Sequence, residues 1–239
     1  MKIEALEPRA NSWLRWAALQ PESRLFEVDG GVMAVNGTTA KLATPMANAA
    51  ARALAAASAT TRIEWLIGPE DAVRAFVEAH PEHFERHDRS LEMALDGDPQ
   101  RPLVAGEGRA LGGGAFVPPP FDEWLQAFSA QRFGTPSITA NDLWGWFDGP
   151  ARAMAGAFRC GESDLRIVTV YTPPSERGRG YAGALVAAIG AHAVSQRIAN
   201  VTLNVEMANI PARRAYERAG FRAIAEAAVW RRAAASCRR

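Results

Sequence analysis

The chain has 239 residues, 48% of them hydrophobic and 22% charged, with a formal net charge of +1. That composition is globular with enough apolar residues for a substantial core, and it excludes disorder, a membrane class and, on total charge, a general nucleic-acid binder. No run approaches the roughly 18 apolar residues of a membrane-crossing helix. Glu4 and Glu7 stand where a signal peptide needs an uninterrupted apolar stretch, and Cys160 and Cys237 are too few for a disulfide framework. A cytoplasmic protein is expected. The charge is uneven: residues 1–105 hold 11 Lys and Arg against 15 Asp and Glu, whereas residues 121–239 hold 15 against 10.

In chain order, a helix carrying Trp13 and Trp16 comes first, followed by a hairpin over Arg24–Val35 in which Asp29-Gly30-Gly31 can supply positive φ. An alanine-rich helix at about 46–58, a short strand over Ile63–Ile67 and a helix opening at Pro69-Glu70-Asp71 complete a small α/β unit. His80, His83 and His87 have a spacing that could mimic a metal site. Pro81 interrupts it, and Glu82, Glu85 and Asp88 are interleaved, so the stretch reads as an exposed helix end or loop, with no metal. Between Asp96 and Pro120 the glycines Gly106, Gly108 and Gly112–Gly114 and the prolines Pro118–Pro120 indicate a linker and a first strand. The expected division is a small α/β domain over residues 1–100 and a second domain over 101–239.

The second part begins with a helix over Phe121–Phe133, with Phe121, Trp124, Leu125 and Phe128 on one face. Leu143–Phe147 and Ala153–Cys160 read as strands joined through Asp148-Gly149-Pro150. Trp144 and Trp146 suit a core or cleft wall, because no basic residues alternate with them as in a base-stacking platform. Cys160 suits a small buried hydrophobe better than a nucleophile. Leu165–Tyr171 is a β-branched strand, and after Pro173-Pro174 comes Arg177-Gly-Arg-Gly-Tyr-Ala182, opening a helix whose apolar positions are Ala182, Leu185, Val186, Ile189 and Ala193. This turn reads as an anion cradle. A helix N-terminus presents unpaired amides and about half a positive charge, Gly178 and Gly180 allow close approach, and Arg177 and Arg179 add charge-assisted donors.

A strand over Val201–Val205 and a helix over about 211–219 follow, with Pro211 in the first turn and Gly220 at C′. Ala212, Ala215, Tyr216 and Ala219 share one face of it. Arg177-x-x-Gly180-x-Ala182 after one strand, then Asn209-x-x-Ala212-x-x-x-Tyr216-x-x-x-Gly220-Phe221 after the next, resembles the GNAT superfamily of acyl-CoA-dependent N-acyltransferases. The resemblance covers roughly the last 140 residues. It implies an α/β mixed sheet whose central parallel strands splay to admit the pantetheine arm, acetyl-CoA as co-substrate, and an amine acceptor, small molecule or peptide. Val168, Val170, Tyr171, Arg177, Gly178, Arg179, Gly180, Tyr181, Ala182, Asn209, Ala212 and Tyr216 would bind the cofactor. A backbone N–H near Val170 or Tyr171 would serve the oxyanion, and the first 100 residues would be a degenerate GNAT-like half.

Tyr216 is the candidate for the departing thiolate. Full proton transfer from a phenol of pKa ~10 to the thiolate of a thiol near ~8.5 is uphill by about 2 kcal/mol, so a hydrogen bond to the thiolate is the expected role. Glu206 leads as general base, with Glu162 and Asp164 less well placed; all three are otherwise solvated surface charges. Outside catalysis, an acyl-CoA sensor that keeps the cradle without an acceptor site is the alternative. No nucleic-acid or membrane partner is expected.

Overall fold

The computed structural model describes residues 6–100, 103–112, 117–131 and 138–233. Cys237, Gly113, Gly114 and the end of the helix expected to reach Phe133 lie outside them. The described elements are α1 (Ser12–Ala18), β1 (Arg24–Val28), β2 (Gly31–Asn36), β3 (Thr39–Leu42), α2 (Asn48–Ala57), β4 (Trp65–Gly68), α3 (Glu70–Ala79) and β5 (Phe84–Leu95). They continue with β6 (Glu107–Ala110), α4 (Phe121–Gln131), β7 (Leu143–Phe147), β8 (Ala151–Arg159), β9 (Asp164–Tyr171), α5 (Tyr181–Ser195), β10 (Asn200–Glu206), α6 (Ile210–Arg218) and β11 (Phe221–Arg232). The α/β mixed-sheet class expected from the sequence is what is found. No helix among the described residues is long and apolar enough to cross a membrane.

The chain divides into two compact units, Met1–Glu92 with Glu206–Ala208 and Ala223–Arg239, and Met93–Val205 with Asn209–Arg222. In the first, β1 and β2 pair antiparallel from Arg24↔Val35 to Val28↔Gly31. Asp29 and Gly30 turn the chain at φ 50° and 76°, the left-handed pair that a two-residue hairpin requires. β3, which the sequence analysis did not separate from its surroundings, pairs antiparallel with β2 and parallel with β4, with α2 as the crossover. β11 lies antiparallel beside β4, from Ala228↔Gly68 to Arg231↔Trp65. Met33, Leu42, Leu54, Leu66, Val73 and Phe76 form the heart of this core. Lys41 and Glu92 meet at 2.5 Å with both side chains 4% exposed. A pair so desolvated adds little net stability but makes loss of either partner costly.

The histidine stretch departs from expectation. His83 is an exposed loop residue as expected, but β5 begins at Phe84 and takes His87 into a strand, its ring 5.0 Å from that of Trp65. Its exposed charged positions give this strand no alternating pattern, and only from Ser90 onward is it continuously buried. His80 is buried at the end of α3, its ring stacked 5.2 Å from Phe76 and edge-on to Phe84 at 5.5 Å. Its Nδ1 accepts from the Glu82 amide at 3.2 Å, and burial holds its pKa below the ordinary histidine value. The fold therefore favours the neutral ring. This stabilisation is complete above about pH 6.5, the unfolded value, and is lost as pH falls toward and through the lower folded pKa. Thermal unfolding followed from pH 8 to pH 5 should show Tm falling below about pH 6.5, and His80→Leu should flatten that part of the profile; an unchanged profile would remove His80 as its cause.

Candidate functional site

The second unit carries the predicted site residues other than Glu206. β6 to β9 form an antiparallel run, with Glu107↔Phe147 pairing β6 to β7 and Met154↔Tyr171 pairing β8 to β9. β9 and β10 are parallel, paired from Asn200↔Asp164 to Leu203↔Ile167, and there the ladder stops. Both strands continue beyond that point, β9 to Tyr171 and β10 to Glu206. At the closed end Asn200 Nδ2 donates to Asp164 Oδ1 at 2.7 Å, and the Asn200 amide donates to Ser163 O at 2.9 Å. Asp164, expected to be a solvated charge, is thus buried and ties the strand starts together, while Glu162 is exposed.

On its other edge β9 is bulged. The register against β8 shifts between Met154 and Gly156, and Thr169 sits at φ 52°. An extra residue in one strand bends it and re-aims its main-chain groups. The sequence carries no mark of this bulge, since threonine is an unusual choice for positive φ. Val168 and Val170 keep part of their surface exposed past the last β9–β10 pair, and Tyr171 is buried.

Beyond β9 a one-turn 3-10 segment, Pro174–Glu176, leads to the glycine turn. Gly178 and Gly180 adopt φ 79° and 88°, and Gly180 is the N-cap residue of the 15-residue α5. A Cβ at Gly178 would meet nothing within 4 Å, so the space over it is open. The Arg177 amide is bonded to Pro174 O at 3.4 Å, and the next main-chain amide bonded to a main-chain carbonyl is Ala184 N, to Gly180 O at 3.0 Å. Among the described residues, the amides from Gly178 to Gly183 have no protein acceptor. Thr172 Oγ1, just ahead of the turn, is buried and unpartnered.

The predicted arginines are less free than the sequence suggests. Arg177 Nε donates to Thr172 O at 3.0 Å, and Arg179 is 3.1 Å from Glu176. Glu176 also receives Arg152 of β8 at 3.0 Å, and Tyr181 donates its hydroxyl to Asp148 Oδ2 at 3.2 Å. These two bonds fasten the turn to the β7–β8 hairpin. Sequence reasoning missed Asp148, Arg152 and Glu176 in this role; the carboxylate directly before Arg177 was the available signal.

α6 supplies the remaining candidates. Asn209 is its N-cap, and its side-chain oxygen accepts from the Ala212 amide at 3.2 Å, so these two positions are coupled as a helix cap. Gly220, at φ 101°, ends the helix at C′ as expected. Tyr216 is the residue of α6 that is buried, and Ala212 and Ala215 are half-buried on the same face. A Cβ on Gly183 would lie 3.3 Å from Ala215 O, so this glycine lets α6 approach α5 one turn from the cradle. Glu206, the last residue of β10, is half-buried and groups with the first unit.

The first unit has a counterpart of the strand, turn and crossover helix in β3, Ala43–Ala47 and α2. There the turn is already filled. The fully buried Asn11 donates from Nδ2 to Thr44 O at 2.7 Å and accepts from Thr44 N at 2.8 Å.

Residues 144–231 match the family described as FR47-like protein. None of the curated proteins matches the sequence. Among solved structures, a GCN5-related N-acetyltransferase from Kribbella flavida superposes with TM-score 0.68 at 17% identity, over 95% of each chain. A GNAT-family protein from Novosphingobium aromaticivorans gives 0.53 at 23% identity, over 84% of this chain and 91% of its own. A tandem GNAT protein from the clavulanic acid biosynthesis pathway gives 0.50 at 12%, over 93% and 94%. The chain has the GNAT fold, and its residues 144–231 are similar to the FR47-like family.

Proposed function

We propose that this protein is an acetyl-CoA-dependent N-acetyltransferase acting on a primary amine by direct attack within a ternary complex. The observation that carries the reading is the row of acceptor-free amides from Gly178 to Gly183 at the positive end of α5, beside the point where the β9–β10 ladder stops. The amides suit the diphosphate of CoA, and the open stretch Val168–Tyr171 suits the pantetheine arm and the thioester carbonyl. In the reaction the amine nitrogen bonds to the acyl carbon, the carbon–sulfur bond breaks, and the proton lost from nitrogen ends on the thiol. Tyr216 is assigned to hydrogen-bond the departing sulfur, supported by its burial on the α6 face that Gly183 draws toward α5. Glu206 is assigned as the base that accepts the amine proton, on its place in the chain between β10 and the Asn209 cap.

Gly180 has both positive φ and a neighbour, Val104 Cγ2, 3.0 Å from where a Cβ would stand. Gly180→Val should therefore weaken CoA binding at least about tenfold by calorimetry, with the far-UV spectrum retained; unaltered affinity would remove the cradle from the site. Tyr216→Phe should lower kcat by about 10- to 100-fold while leaving CoA affinity within about twofold, and equal turnover would strip Tyr216 of its role. For Glu206→Gln the loss of kcat/KM should be deepest near pH 7 and shrink toward the amine's own pKa, ~10.4 for an alkylamine. A pH-independent loss would place the base elsewhere. Tight CoA binding with no amine acetylated would favour a sensor.

A further inference from the structure

The acyl-transfer reading leaves the acceptor unspecified, and the apolar surface beneath α4 narrows it. α4 packs on the carboxyl end of β9, with Trp124 6.2 Å from Tyr171 and Phe121 5.3 Å from Trp124. Two glycines let large side chains press onto the sheet here. A Cβ at Gly156 would stand 2.8 Å from Ile138 Cδ1 and 3.0 Å from Val168 Cγ2, and one at Gly145 2.7 Å from the Phe147 ring. The cluster so formed has four buried members, while nine more apolar residues around it keep part of their surface exposed. In the first unit's core the proportion is reversed, fifteen against five. An interior that is mostly rim is an open wall. It lies beside Val168, the first β9 residue past the last β9–β10 pair.

We infer that this wall, centred on Trp124, Phe128, Ile138 and Val168, receives the acceptor, and that the acceptor is a primary monoamine with an alkyl or aryl body rather than a polyamine. The inference rests on the acyl-transfer reading of the same site. Burial of the apolar body removes its surface from water and binds it without a specific polar partner. The same surroundings disfavour an ammonium ion, which shifts the amine toward the neutral form whose lone pair attacks. Within the described part of α4 the carboxylates are the exposed Glu123 and the half-buried Asp122, whose buried, unpartnered Oδ1 could meet a single ammonium but not several. A polyamine, with several ammonium groups to satisfy, would lose more on entering this wall than it gained. The acyl carbon exchanges sulfur for nitrogen, giving the N-alkyl acetamide and the free thiol of CoA.

The test is thiol release from acetyl-CoA with the full chain and a series from n-butylamine to n-hexylamine, with 2-phenylethylamine and spermidine alongside. kcat/KM should rise about fourfold per methylene, and 2-phenylethylamine should exceed spermidine by at least about tenfold. Trp124→Ala should flatten the series while KM for acetyl-CoA stays the same; should that variant fail to fold, the alkylamine series on the unaltered protein decides alone. A flat series, or preference for spermidine, overturns the inference and leaves acyl transfer standing. No turnover with any of these amines, despite bound acetyl-CoA, also overturns it. Failure of acetyl-CoA itself to bind overturns the acyl-transfer reading, and this inference with it.

Discussion

The site depends on a parallel strand pair that is fastened at one end and released at the other. Asn200 and Asp164 lock the starts of β9 and β10, and their ladder ends at its fourth pair, Leu203↔Ile167. Had pairing continued, the main-chain groups of Val168–Tyr171 facing β10 would be consumed within the sheet and unable to meet a ligand. The bulge at Thr169 contributes from the opposite edge, because an extra residue against β8 bends β9 just where it leaves β10. Backbone strain at a non-glycine residue is thus stored beside the opening, held there by a buried strand.

The cradle that follows is built in advance. Among the described residues its amides have no protein acceptor, so no bond must break before an anion approaches, and the two left-handed glycines fix their direction. Its arginines are restrained: Glu176 holds Arg179 and Arg152, and Thr172 O holds Arg177. Restraint lowers the entropy that a ligand would otherwise cost in ordering long side chains. Part of the positive charge is offset in return, which leaves the main-chain donors and the α5 dipole as the chief attraction.

The first unit shows what distinguishes such a turn from an ordinary strand-to-helix connection. β3, its turn and α2 follow the same local order as β9, its turn and α5. Yet Ala43–Ala47 contains no glycine, and the side chain of Asn11 already bonds both main-chain groups of Thr44. The topology is shared and the open donors are not.

The glycine turn, the α6 cap and the α/β order could be read from residue types alone, because each rests on local rules. Gly178 and Gly180 permit positive φ, Pro211 and Gly220 bracket a helix, and β-branched runs alternate with helical spacing. Partnership between distant residues could not be read. Asp164 looked like a surface charge until Asn200, in another strand, came to meet it; Glu176 and Asp148 acquired their roles only when the β7–β8 hairpin lay beside the turn. β5 was missed because its exposed charged half hides the strand pattern, and the Thr169 bulge because its cause is the register of a neighbouring strand. Local conformation follows from what each side chain permits, whereas an opening in a sheet follows from where pairing stops, and that is decided between segments far apart in the chain.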